Sequence, residues 1–128
     1  MGAPNVRYSV SKNRLSGVSG FDSIGVTFSA DAAYQAFECR ATKAGDNWGV
    51  GVGQLIARFS ATPADTERTF EIYDDYLVSG DGEYRIGLYV QAADGSWNDT
   101  IAFIPIGSTG LITADGLAFL CRKGDSDG

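Results

Sequence analysis

Histidine is missing from all 128 residues. Its absence removes the Ser-His-Asp and Cys-His relays and the usual imidazole-ligated zinc sites. The two cysteines, Cys39 and Cys121, are too few for an all-thiolate zinc site, which takes about four. Carboxylates remain. A glycosidase needs two of them facing each other across a cleft, and Asp74, Asp75, Asp81, Glu83 and Asp94 are candidates by type. They lie in turn-rich stretches of an acidic chain, where aspartate bonds to its own backbone and faces water. The expectation is a chain with no catalytic residues and no cofactor. Calcium is the inorganic alternative: Asp74-Asp75 with Asp81, or Asp94 with Asn98 and Asp99, offer loop oxygens. Neither group follows the Asp-x-Asp-x-Asp-Gly progression of an EF-hand loop. Turn formation is the simpler role, and no residue is assigned to a metal.

Binding chemistry is better represented than catalysis. Trp48 follows Asp46-Asn47 in a glycine-bounded polar loop, and Trp97 stands beside Asn98 and Asp99. A loop tryptophan flanked by amides stacks on a sugar ring while its neighbours bond the hydroxyls. The same residue anchors a protein partner, or folds inward to plug the end of a domain. All three uses remain open for Trp48 and Trp97, and the candidate ligand-binding residues are Asn47, Trp48, Trp97 and Asn98. The nearby Gly49-Val50-Gly51-Val52-Gly53 lacks the Gly-Lys-Ser/Thr and the following helix of a phosphate loop. It reads as a strand with one all-glycine face, open to close approach by another backbone or a flat ring.

The elements that must carry these loops are strands. Ile24-Gly25-Val26-Thr27-Phe28 and Arg68-Thr69-Phe70-Glu71-Ile72-Tyr73 alternate with period two. Val6 to Ser16, Tyr34 to Thr42, Leu55 to Phe59 and Ile101 to Ile106 read as further strands, and 111–121 as a closing hairpin. The strongest is Tyr84 to Gln91, with Tyr84, Ile86, Leu88 and Val90 on one face and Arg85, Gly87, Tyr89 and Gln91 on the other. Asp94-Gly95-Ser96 after it is turn chemistry. Short strands separated by turn signals every 8–12 residues or so indicate a β-sandwich or barrel. The 17 glycines and 44% hydrophobic content suit one such domain over 1–122, with 123–128 a polar tail.

A formal charge of -6 disfavours nucleic acid, which is held through cationic contacts. No apolar run approaches the ~20 residues of a membrane-spanning helix, so membrane insertion is not expected. Residues 1–5 lack the basic and apolar regions of a secretory signal. Cys39 and Cys121 sit in strand-like apolar context and read either as one long-loop disulfide or as two buried thiols.

The segment from Gly80-Asp81-Gly82-Glu83-Tyr84 through Asp94-Gly95-Ser96-Trp97-Asn98 resembles the last crossover and hairpin of immunoglobulin-like and fibronectin type III-like domains, especially bacterial and phage-encoded ones. The resemblance implies an all-β, immunoglobulin-like antiparallel β-sandwich of about 7–9 strands. It implies that Tyr84 buries its ring and returns its hydroxyl to upstream backbone, a structural role. Ile86 stands where antibody domains place a cysteine, so their inter-sheet disulfide is missing. A non-catalytic interaction or structural module of a bacterial surface protein or phage particle is the function implied, with a protein or a cell-surface glycan as partner. The alternative is a carbohydrate-binding module that places both tryptophans on one platform.

Overall fold

The computed structural model describes residues 5–12, 14–16, 22–43, 45–47, 49, 51–78, 80–97, 102–104, 112–114 and 117–124. Among these the chain is almost entirely strand, arranged in two sheets. Sheet one holds β1 (Val6–Val10), β3 (Ser23–Ala30), β6 (Arg68–Tyr73) and β9 (Ile112–Ala114), in the order β6-β3-β1-β9. Sheet two holds β2 (Arg14–Leu15), β4 (Ala36–Lys43), β5 (Gln54–Phe59), β7 (Gly82–Gln91), β8 (Ala102–Ile104) and β10 (Leu117–Lys123). Its order is β2-β10-β7-β4-β5, with β8 also paired to β10, and the sheet is curled. The long pairings are antiparallel. Only β2 and β8 run parallel to β10, sharing its free edge.

Period-two order explains the sandwich. β3 alternates half-exposed and buried along all eight residues, so Ile24, Val26, Phe28 and Ala30 face inward. From sheet two, Phe37, Cys39 and Ala41 of β4, Tyr84, Ile86, Leu88 and Val90 of β7, and Phe119 and Cys121 of β10 join the same core. Aromatic rings bind the layers: Phe28 stacks on Phe37 at 3.9 Å between centroids, and Tyr8 on Phe119 at 5.3 Å. Offset ring pairs of this kind add stabilisation beyond their buried area.

Three expected elements come out differently. The run from Val6 to Ser16 divides into β1 in sheet one and β2 in sheet two, so the first strand changes layers. The expected hairpin over 111–121 is split as well: β9 pairs with β1 and β10 with β7, placing the two arms in different sheets. Alternation identifies a strand and says nothing of its partner, and here the free edge of β1 takes the first arm. Finally, β10 continues through Lys123, whose Nζ donates to Leu77 O at 2.7 Å. Gly124 N–H then donates to Leu15 O at 2.8 Å, so the tail begins later than residue 123.

Both cysteines are free and buried. They lie on β4 and β10, which flank β7, opposite Leu88 and Tyr84 respectively. Two strand spacings separate their backbones by about 9–10 Å before any offset along the strand, beyond the ~7 Å limit for a bridge. Burial pushes Cys39 well above the ordinary thiol range and Cys121 up to about 12, with the Glu83 charge a lesser cause for the latter. Native protein is expected to leave both thiols unmodified by Ellman's reagent at pH 8, and urea-unfolded protein to titrate two per chain. Rapid native labelling of either would contradict the packing.

Candidate interaction surface

Tyr84 is the third residue of β7 and is 2% exposed. Its hydroxyl donates to Gly80 O at 2.6 Å and lies 3.3 Å from Leu77 O. The phenol thus ties the start of β7 to the connection before it. That connection holds a short 3₁₀ turn, Asp74–Tyr76, where the sequence suggested only turns. Tyr84→Phe is expected to cost about 1 kcal/mol in a urea titration, the net contribution of the hydrogen bond to Gly80 O. An unchanged midpoint would show that the hydroxyl does not pin this corner.

The β4–β7 register fixes where the proposed ligand-binding loops leave the sandwich. Lys43 lies opposite Tyr84 at one end, and Ala36 opposite Gln91 at the other. Asn47 therefore belongs to a loop at the first end, and Trp97 to a turn at the second. Trp48 and Asn98 lie outside the described residues. Trp97 is half-buried and bridges back to Gln91. Its turn closes on itself: Asp94 Oδ1 accepts from Ser96 N–H at 2.9 Å, and Gln91 Nε2 donates to Gly95 O at 3.0 Å. The loop roots thus put Asn47 and Trp97 at opposite ends, not on one platform.

Three of the acidic groups weighed for calcium, Asp74, Asp94 and Asp81, are engaged elsewhere, and Asp99 lies outside the described residues. Asp74 is 3% exposed and accepts from Ser16 Oγ at 2.8 Å. Asp94 is held by Ser96. Asp81 packs against Gly124, where an added Cβ would stand 2.5 Å from its carboxylate. Among the described residues no three acidic or cysteine side chains gather in a cluster able to hold a metal ion.

What the structure does assemble is the outer face of sheet two. Direct pairing places Glu38 beside Tyr89 and Arg58, Arg40 beside Gly87 and Leu55, and Arg122 beside Glu83, with Arg85 between Thr42 and Leu120. With Arg14, which pairs beside Arg122, the arginines Arg40, Arg58, Arg85 and Arg122 make five of the chain's seven, and they share this face with two glutamates. Glu38 is 7% exposed yet charged by type. Arg40 Nε donates to its Oε1 at 2.9 Å, while Arg58 Nη1 stands 3.7 Å from Oε2.

Tyr89 is also buried on this face, which an outward strand position does not foretell. Gly87 makes room for it: an added Cβ there would lie 2.4 Å from the phenol oxygen. The ring therefore lies flat along β7, over the glycine. Burial pushes the hydroxyl up to about 12, with Cys39 a further upward cause, against smaller downward pulls from Arg85, Arg40 and the Gly49 backbone.

The two arginines hold down the β4–β5 loop. Arg40 Nη1 donates to Gly53 O at 3.0 Å, and Arg85 Nη1 reaches Asp46 O at 3.5 Å. Gly49–Gly53 is a turn and not the strand expected. Gly49, Gly51 and Gly53 all have positive φ, at 144°, 78° and 91°, which breaks the extended period. At Gly53 the glycine is also required by space, since a Cβ would stand 2.6 Å from Ala41 O. The close approach of another backbone expected at this glycine run occurs at Gly53, against Ala41. Beyond the loop, β5 forms the sheet edge and carries a bulge: Cys39 and Arg40 face Ala57 and Leu55, leaving Ile56 extra. Asn47, Val52, Leu55 and Arg58 are exposed along this one stretch of chain.

The chain matches no family model, no curated protein and no solved structure. The surface is defined by its own residues. Of these, the sequence reading singled out Asn47. It missed Glu38, Arg40, Arg58 and Arg85, although the spacing of Glu38 and Arg40, and of Arg85, Gly87 and Tyr89, already put each set on one strand face.

Proposed function

We propose that this chain is a non-catalytic interaction module of the immunoglobulin-like class, from a bacterial surface protein or phage particle, and that it binds a protein partner through the β4–β5 loop and the start of β5. The class rests on the two-sheet order with its crossing connections and on the hydroxyl of Tyr84 returning to upstream backbone. The setting rests on the likeness of 80–98 to bacterial and phage modules.

One observation carries the choice of surface, the clamp on the β4–β5 loop at Asp46 and Gly53. Joining two antiparallel strands needs only about two residues, and β4 and β5 are adjacent and antiparallel. A longer, glycine-rich connection adds conformational entropy that folding must overcome. Here Arg40 and Arg85 hold it against the sheet. A pre-ordered loop loses less entropy on binding than a free one, which is the benefit that offsets its length.

The test compares immobilised wild type with Asn47→Ala/Val52→Asp in the loop and Thr27→Lys on the outer face of sheet one. Partners captured from the source cell or virion extract should be lost on the loop variant and kept on the sheet-one variant. The reverse pattern would overturn the assignment. A glycan array run with the same proteins and with Trp48→Ala separates the carbohydrate alternative: sugar binding abolished by Trp48→Ala would replace the protein reading.

A further inference from the structure

We infer that the partner segment presents a carboxylate flanked by apolar side chains, and that Arg58 is the residue that receives it. The inference rests on the surface assignment above and adds the chemistry of what docks there. The chain is acidic overall at -6, yet among the described residues this sheet face gathers five arginines against two glutamates. Charge is therefore segregated. The cationic face is the one that meets the clamped loop.

These arginines do different jobs. Arg40 is committed to Glu38 and to Gly53 O, with its side chain 18% exposed. Arg85 reaches the loop carbonyl of Asp46, and Arg122 pairs with Glu83 at 3.7 Å. Arg58 differs in exposure: its side chain is 63% open to solvent, against 9% for the Glu38 that orients it. A guanidinium carries five N–H donors in a planar fork. One contact at 3.7 Å to a carboxylate that Arg40 already holds more closely leaves that fork able to take a second carboxylate side-on.

The surroundings set the rest of the specificity. Leu55 is 44% exposed and Val52 38%, three residues and six residues before Arg58 in the chain. Exposed apolar side chains beside an arginine are the composition of an interface centre, where water exclusion strengthens the charged contact. The repulsion of an acidic partner by the domain's net charge is screened beyond about 8 Å at physiological salt, so the local cationic face decides the contact.

A displayed library of random dodecapeptides, selected on the immobilised domain, tests this. The expected enrichment is for aspartate or glutamate next to aliphatic or aromatic residues, with binding of the selected peptides reduced at least tenfold by Arg58→Glu. Restoration by Arg58→Lys should be only partial, because an ammonium lacks the fork. Peptides without an acidic residue, or binding indifferent to Arg58→Glu, would overturn the carboxylate inference. The same peptides, if lost on Asn47→Ala/Val52→Asp, would still uphold the surface. Enrichment of peptides indifferent to both variants would overturn both readings. So would no enrichment at all.

Discussion

Arg40→Ala is expected to lower the unfolding free energy by about 3 kcal/mol, while Arg58→Ala lowers it by less than ~1 kcal/mol, as measured by urea titration. Both arginines address the same carboxylate, so the contrast isolates burial. Glu38 is 7% exposed, and Arg40 meets it at 2.9 Å from within the sheet face. Removing Arg40 leaves a buried charge facing only the solvent-exposed Arg58 at 3.7 Å. Removing Arg58 instead leaves the closer pair intact. Arg40→Ala also removes the donor to Gly53 O, so the loop should loosen along with the fold. Replacing both partners with apolar residues, Glu38→Leu with Arg40→Met, should recover most of the lost stability, since no charge is then left unpaired. Equal effects of Arg40→Ala and Arg58→Ala would mean that Glu38 is hydrated and the pair superficial.

Gly87→Ala should cost about 2 kcal/mol despite adding a single methyl to an outward-facing strand position. Small-to-large changes in filled sites cost about 1–3 kcal/mol. The new Cβ would lie 2.4 Å from the Tyr89 oxygen and 2.5 Å and 2.6 Å from two ring carbons. Relief requires the whole ring to lift, and Tyr89 is only 2% exposed. The cost should therefore vanish in a Tyr89→Ala background but persist with Tyr89→Phe, which keeps the ring. A double-mutant cycle reads this directly. Gly87→Ala as well tolerated in wild type as in Tyr89→Ala would place the ring elsewhere.

Much of the fold was legible because alternation is a local property. The inward set of Tyr84, Ile86, Leu88 and Val90 is the one the structure buries, and the strand at Ile24–Phe28 only lengthens to Ser23–Ala30. Strand partners were not legible. Nothing in residues 6–16 announces that Leu15 crosses to pair beside β10, because pairing depends on backbone edges brought together from far along the chain. The surface was legible only in part. Asn47 stood out as a polar loop residue before a tryptophan. Arg40 and Arg85 did not, since each is an ordinary polar residue on an alternating strand until its neighbours across the sheet are known. Tyr89 misled by pattern: its parity assigned it to solvent, and only the missing Cβ of Gly87 lets the ring lie down and become buried. The glycine run at 49–53 was read as extended because valine alternates with it, whereas three positive φ angles turn it back on itself.

The clamp on the β4–β5 loop is tested most directly by amide hydrogen exchange at Val52, whose N–H donates to Gly49 O at 3.0 Å within the loop. Protection of that amide is expected in wild type, with its selective loss in Arg40→Ala, which removes the donor to Gly53 O, while the amides of β4 and β7 remain protected. A Val52 amide that exchanges in the intact wild-type fold at the rate of an unstructured peptide would contradict the clamp and the surface built on it.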